Sequence, residues 1–217
     1  MAFQELVTAA QKYFPDLSIK YKDNSKFMKF LGFLLFFNRS FMTSYTTTIG
    51  STVYFTTEDY TKTNPVSASV VLLHELVHVK DAKKLSKVLF GFLYLTPQIL
   101  AVLALPLLFI SWKIALPVLL VFASPIPSYF RMLFEKRAYM VSLYCINALS
   151  TKYKFKPLLA TQEEYFLNNF NGPSYYFMWP FPGLKKDFDA ALIKIKDGQR
   201  PFEDPIFDII DDLILSA

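Results

Sequence analysis

The pattern of hydrophobic and polar positions changes twice in the first sixty residues, and each pattern is typical of one kind of element. Hydrophobic residues recur at helical spacing within 2–13, which predicts a short amphipathic helix. An apolar run at 25–37, interrupted by two lysines, predicts a second helix that is too short to span a bilayer of about 30 Å. Residues 43–57 are rich in threonine and aromatic side chains around Gly50-Ser51, which predicts two strands joined by a turn.

A long helix is predicted after Asn64-Pro65. Asparagine is a favoured N-cap residue, and proline is favoured at the first helical position. Residues 66–85 then contain neither glycine nor proline, so we expect one continuous helix. Further helices are predicted near 128–150, 161–170, 184–196 and 203–215. Together with the two strands they indicate a predominantly helical α+β fold. We expect residues 1–217 to form a single domain whose C-terminal region, residues 151–217, is aromatic, acidic and helical.

Residues 88–130, the hydrophobic segment, are predicted to fold as a helical hairpin. Residues 88–111 carry no charge in 24 positions, and Trp112-Lys113 is followed by 17 further uncharged residues. A transmembrane helix needs about 20 apolar residues, so the first run is long enough. Lysine and arginine flank the segment, and the positive-inside rule then keeps both ends cytoplasmic while the tip points outward. The alternative is a pair of core helices buried in an oligomer or a larger assembly.

The composition excludes several classes of protein. Apolar residues make up 53% of the chain and aromatic residues 18%, which is incompatible with general disorder. Thirteen prolines argue against a coiled coil, and the single cysteine, Cys145, is expected to be a small buried side chain without a disulfide. The net charge of +5 is dispersed, so we expect no nucleic-acid partner. The first residues lack the features of a secretory signal, so we expect the chain to begin in the cytosol.

His74, Glu75 and His78 form an HExxH motif within the predicted long helix. Residues four apart lie on one face of a helix, so both imidazoles can bind one tetrahedral zinc ion. Glu75 follows the first ligand and can act as the general base towards a water molecule at the metal. The chain has two histidines, and both lie in this motif. The motif therefore predicts a Zn²⁺ site.

A catalytic zinc site needs a third protein ligand, which cannot be a histidine here. Glu135 is the better candidate because it is the only acidic residue between Asp81 and Glu163, and its carboxylate would be costly to bury without a cation. The alternative is a salt bridge from Glu135 to Arg131, four residues earlier on the same helix. Asp81, three residues after His78, is expected to support the site rather than to bind the metal.

The order of HELVH, a hydrophobic segment and a helix with Glu135-Lys-Arg-Ala138 resembles the integral-membrane gluzincins over residues 42–145. These include the heat-shock-associated membrane zinc metallopeptidase and the CAAX prenyl endopeptidase. The resemblance implies that both histidines and Glu135 bind zinc, that Glu75 is the general base and that the site faces the cytosol. The chain departs from the family at Tyr139, where the family usually has aspartate, and it has no long membrane helix before the motif.

Two further roles follow from this chemistry. In zincins an extended peptide commonly lies along the sheet edge before the HExxH helix, and the strands predicted within 43–57 stand at that place in the chain. Such enzymes also use a side-chain donor to stabilise the oxyanion of the reaction. The available donors are Arg131, Tyr139, Tyr175 and Tyr176, although for each of them an ordinary role as a packing aromatic or a surface arginine is favoured.

The sequence thus predicts a zinc metalloendopeptidase that hydrolyses a protein or peptide substrate. It is expected to be membrane-associated with a cytoplasm-facing active site, and it is compatible with a homo-oligomer or a larger assembly. Two alternatives remain open. In the first, the chain is a non-catalytic structural or assembly protein, such as a virion component, that keeps a zincin fold. In the second, it is a membrane-bound module that binds a partner through its aromatic residues 174–182.

Overall fold

The structure is a computed structural model that describes residues 3–35, 38–124, 126–157, 159–172 and 181–216. It is predominantly helical with one small sheet, as the sequence predicts. The helices are α1 Phe3–Tyr13, α2 Lys26–Leu34, α3 Glu58–Thr63, α4 Pro65–Leu85, α5 Lys87–Leu95, α6 Ala104–Leu108, α7 Trp112–Ala123, α8 Tyr129–Tyr153, α9 Leu159–Asn171, α10 Leu184–Lys196 and α11 Ile206–Ser216, with 3₁₀ turns at Arg39–Phe41 and Gln98–Leu103. The strands are β1 Ser18–Tyr21, β2 Thr47–Ile49 and β3 Thr52–Phe55.

The sheet has the order β1-β3-β2, so β2 lies at one end of it. The β2–β3 hairpin confirms the predicted turn, in which Gly50 adopts a positive φ of 63° that favours glycine. Strand β1, which no sequence pattern predicted, pairs in parallel with β3 and places Ser18 opposite Thr52. This sheet packs beside α4 and brings β2 next to the middle of that helix.

Helix α4 is the central element of the main hydrophobic core. It begins with Pro65 as predicted, although the Asn64 side chain donates to Thr63 Oγ1 rather than capping the helix. Its apolar side chains are buried on several faces against α1, α8, α11 and β3, which is typical of a helix enclosed by the fold. A second core joins α8 to α9 and α10. Helix α8 therefore connects the two cores and lies directly against α4.

The hydrophobic segment is divided into short helices instead of two long ones. Helix α5 ends before Pro97, which lacks a backbone donor, and a 3₁₀ turn and α6 follow. Among the described helices, none alone is long and apolar enough to cross a membrane. Lys87–Leu95 and Gln98–Leu108 meet the length and composition criteria together, but they are bent by 91°. The described residues thus do not form the two long helices of the predicted hairpin, and its insertion into a membrane stays a prediction.

A network of charged side chains fastens α4 to α8. Arg137 donates to both oxygens of Asp81, at 3.0 and 2.9 Å, and to Asp204 Oδ2 at 2.6 Å. Lys80 also pairs with Asp204, just before α11. Partial burial alone would raise the pKa of Asp204, but the hydrogen bonds from Lys80 and Arg137 lower it. The network fixes the spacing of α4 and α8 close to the histidines.

We predict that Arg137→Met destabilises the protein by roughly 2–3 kcal/mol, somewhat less than the loss for a fully buried pair because Arg137 is partly exposed. The physical reason is that Asp81, which is 5% exposed, loses its bidentate partner. Urea-induced unfolding measures the change.

The matched control is Lys136→Met on the same helix, whose partner Asp187 is half exposed and whose loss should cost at most about 1 kcal/mol. The double variant Arg137→Met/Asp81→Asn should recover part of the lost stability. Equal losses for the Arg137 and Lys136 variants would show that the network does not fasten the two helices.

Candidate metal centre

Helices α4 and α8 bring the predicted ligands together. Glu135 Oε2 lies 3.4 Å from His74 Nε2, and Glu135 Oε1 lies 3.5 Å from His78 Nε2. One ligand atom from each of the three side chains lies within 4.8 Å of the others. All three residues are buried, and Glu135 is only 2% exposed. The three side chains could therefore hold one metal ion.

The distances suit a bridging cation better than direct hydrogen bonds. Good N–H···O hydrogen bonds span about 2.7–3.2 Å, and both contacts are longer. Two donor atoms bound tetrahedrally to one zinc ion at about 2.0–2.2 Å would lie roughly 3.4 Å apart. The two nitrogen–oxygen separations are close to that value, each to a different oxygen of Glu135. Two imidazole nitrogens and a carboxylate also form a donor set found in catalytic zinc sites.

A hydrogen bond to Ser142 fixes the orientation of the His74 ring. The Ser142 hydroxyl donates its proton to the backbone oxygen of Ala138 at 3.1 Å. It therefore accepts from His74 Nδ1, which lies 3.1 Å away. In a neutral imidazole with its proton on Nδ1, Nε2 has a free lone pair with which it can bind a metal ion. His78 Nδ1 is buried and has no hydrogen-bond partner in the described part of the chain, so no such contact orients it.

The buried charges of Glu135 and His78 shift each other's pKa. Burial alone would raise the pKa of Glu135, but the two imidazoles hold it well below its usual range. Burial alone would lower the pKa of His78, but the charge of Glu135 raises it to about 9. The carboxylate is thus charged at neutral pH and attracts a cation. A metal ion competes with a proton for His78, so metal affinity is expected to rise with pH.

Tyr94 on α5 adds a third polar contact to Glu135. Its hydroxyl donates to Glu135 Oε1 at 2.5 Å. Arg131 holds Tyr94 in turn, because its Nε donates to the Tyr94 backbone oxygen at 2.9 Å and its guanidinium lies over the ring. Arg131 thus supports the residue that contacts Glu135, and its role as an oxyanion donor stays a prediction.

Glu75 is held at the site by the edge strand. Thr48 on β2 donates to Glu75 Oε2 at 2.8 Å. A fully buried lysine, Lys22, lies at the end of β1 and donates to the backbone oxygen of Phe41 at 2.6 Å. Burial lowers the pKa of Lys22 to about 8, and the nearby charge of Glu75 opposes that shift. The sheet therefore supplies both a hydrogen bond and a positive charge to Glu75.

The remaining predicted residues divide into three cases. Tyr139 contacts the His74 ring edge to face at 4.9 Å, and its hydroxyl accepts from Asn169. Asp81 is bound by Arg137 and is not one of the three converging groups. Tyr175 and Tyr176 lie outside the described residues, as does most of the predicted aromatic segment 174–182.

Sequence reasoning missed four residues that support the site, namely Lys22, Thr48, Tyr94 and Ser142. Ser142 follows Glu135 by seven residues, two helical turns on the same face, so its spacing was a usable signal. No local pattern marks the other three, because each lies in a different element from the residue that it supports.

We predict that Ser142→Ala weakens the binding of a divalent metal by about 10- to 100-fold, because His74 loses the contact that orients it. Competition with a chelating dye measures the affinity. Ser150→Ala is the matched control, since Ser150 is also buried on α8 and bonds only a backbone oxygen of its own helix among the described contacts. Equal affinities for the two variants would show that Ser142 does not orient His74.

Comparisons with models of known protein families, with curated proteins and with solved structures found no match to this chain.

Proposed function

We propose that this chain is a zinc-dependent peptidase with a zincin-like core, in which His74, His78 and Glu135 hold the metal. The observation that carries the proposal is the approach of both Nε2 atoms to Glu135, at 3.4 and 3.5 Å, in a buried site. The motif adds Glu75 as a base beside the first histidine. The order of these residues along the chain, with its resemblance to membrane gluzincins, supports the same conclusion.

Zinc is the metal that the donor set favours. Imidazole and carboxylate ligands in an HExxH arrangement suit it, and three protein ligands leave a fourth position for water or substrate. When bound, zinc supplies Lewis-acid chemistry, which lowers the pKa of water and polarises a carbonyl group. Ser142 and Tyr94 then act as the outer contacts that orient His74 and Glu135.

Glu75 carries the protons of the reaction. It takes one proton from the attacking water, whose oxygen forms a bond to the peptide carbonyl carbon. It then delivers that proton to the nitrogen of the leaving amine as the C–N bond breaks, so one water is consumed. The hydrogen bond from Thr48 directs the Glu75 carboxylate, and a general base must lie within hydrogen-bond reach of the proton that it moves.

Strand β2 offers a place for an extended substrate. It is an end strand of the sheet, and its residue Thr48 contacts Glu75 directly. A peptide that adds to such an edge gains backbone hydrogen bonds and runs past the base. We infer a peptide bound in extended conformation as the substrate class.

A structural role for the same metal is the second candidate, and the burial of the site favours it. His74, Glu75, His78 and Glu135 are all less than a tenth exposed. Structural zinc sites, however, usually have four protein ligands and need no base. The described residues bring together three ligands, and Glu75 stands beside them.

Elemental analysis tests the metal site. We predict about one zinc per chain for the wild type and an affinity loss of more than about 100-fold for Glu135→Gln, which removes the charge of a direct ligand. Glu163→Gln is the matched control, because Glu163 is a buried glutamate on α9 outside the converging group. Zinc retained by the Glu135 variant would exclude this ligand set.

We predict that Glu75→Gln keeps its zinc but loses peptidase activity by about 100- to 10,000-fold, because the amide cannot take up the proton. A mixture of internally quenched peptides measures the rate, and Glu163→Gln again serves as the control. Activity retained by the Glu75 variant would contradict the assigned base. A wild type that binds zinc but cleaves no peptide, also when denatured proteins are offered, would favour the structural role.

A further inference from the structure

The hydrophobic segment exposes an unusual amount of apolar surface. Eighteen of the thirty exposed large hydrophobic side chains of the described residues lie in it. The most exposed are at its start and at the turn between α6 and α7, where Phe109 is 94% exposed. The side chains of the segment that are more than 60% exposed are those of Val88, Phe109, Ile110, Trp112 and Leu120. Single apolar residues on a surface are ordinary, but their concentration in one segment indicates an interaction site.

The shape of the segment suits shallow insertion into a lipid layer. Helix α7 has 12 residues and is thus about 18 Å long, against about 30 Å for the hydrocarbon core of a bilayer. The first half of the segment bends by 91° between α5 and Gln98–Leu108. The chain just after α5 is fastened to the end of the segment, because Gln98 donates to the backbone oxygen of Ile126 and Ser128 donates to that of Thr96. The tip therefore projects from a closed base.

The charges of the hydrophobic segment and its flanks indicate that its partner is an anionic lipid surface. Residues 82–134 contain no acidic residue and five basic ones. Lys87 lies exposed at the start of α5, and Lys113 lies exposed beside the tip. Anionic headgroups attract such lysines, while the tip residues contact the acyl chains. A second copy of this surface would instead bring like charges together.

We propose that the hydrophobic segment inserts into one leaflet of an anionic lipid bilayer, with residues 109–112 deepest and both ends on the same side. Tyr94 of α5 contacts Glu135, so the metal centre lies at the base of the inserted segment. The lipid surface would then hold the centre close to the membrane. The proposal stands apart from the peptidase reaction, because its test uses neither metal nor substrate.

Vesicle flotation of the whole chain tests the proposal. We expect the protein to float with vesicles of phosphatidylcholine and phosphatidylglycerol, and less with phosphatidylcholine alone. Phe109→Asp/Ile110→Asp should reduce binding by at least roughly tenfold, because two exposed apolar side chains leave the lipid. Leu215→Asp is the matched control, since Leu215 is 81% exposed on α11, and it should bind normally. Equal binding by both variants, or no binding by the wild type, would overturn the proposal.

The fluorescence of Trp112 measures the depth of insertion. In a Trp179→Phe background, which leaves one tryptophan, we expect a blue shift with anionic vesicles and quenching by lipids brominated along the acyl chains. Quenching by iodide trapped inside the vesicles would place the tip at the far face and overturn insertion into one leaflet. A lipid-free dimer that the two aspartates convert to a monomer would identify a second copy of the chain as the occupant and would also overturn the proposal.

Discussion

The buried carboxylate of Glu135 is the charge on which the centre of this molecule depends. A carboxylate that is 2% exposed is costly unless positive charge and hydrogen bonds compensate for it. Two imidazoles from α4 approach its two oxygens, and the Tyr94 hydroxyl from α5 donates to one of them. The charge of Glu135 raises the pKa of His78 to about 9, so a proton on His78 supplies part of this compensation at neutral pH. A metal ion bound there would displace that proton and supply the positive charge itself.

The packing of α4 against α8 therefore contributes both to the stability of the fold and to the geometry of the site. The ligands lie on these two helices, and the Asp81–Arg137–Asp204 network fastens them a short distance away. The sheet takes part through Thr48, which holds Glu75 from the edge strand. The hydrophobic segment takes part through Tyr94, and Arg131 donates a hydrogen bond to the backbone oxygen of that tyrosine. Loss of any of these contacts is therefore expected to affect the geometry of the metal centre as well as the packing of the helices.

Elements governed by local patterns were predictable from the sequence, and contacts between distant elements were not. Helix α10 has the predicted bounds, and α4 begins at Pro65 as its proline and uninterrupted apolar pattern indicate. The pairing of Glu135 with both histidines was predictable because a lone acidic residue in an apolar helix needs a cation. Strand β1 was missed because it has four residues and pairs with a strand more than thirty residues later. Tyr94 was missed because it lies on α5, 41 residues before the carboxylate of α8 that its hydroxyl contacts, and no local pattern links the two.

X-ray absorption at the zinc edge of the purified protein identifies the atoms bound to the metal, and so tests whether His74, His78 and Glu135 hold it. We predict nitrogen and oxygen neighbours at about 2.0–2.2 Å, with the outer scattering of two imidazoles and no sulfur. A sulfur neighbour at about 2.3 Å would place the metal on Cys145 or on a site between chains, and would contradict this ligand set. Absence of bound zinc after incubation with the ion would contradict it as well.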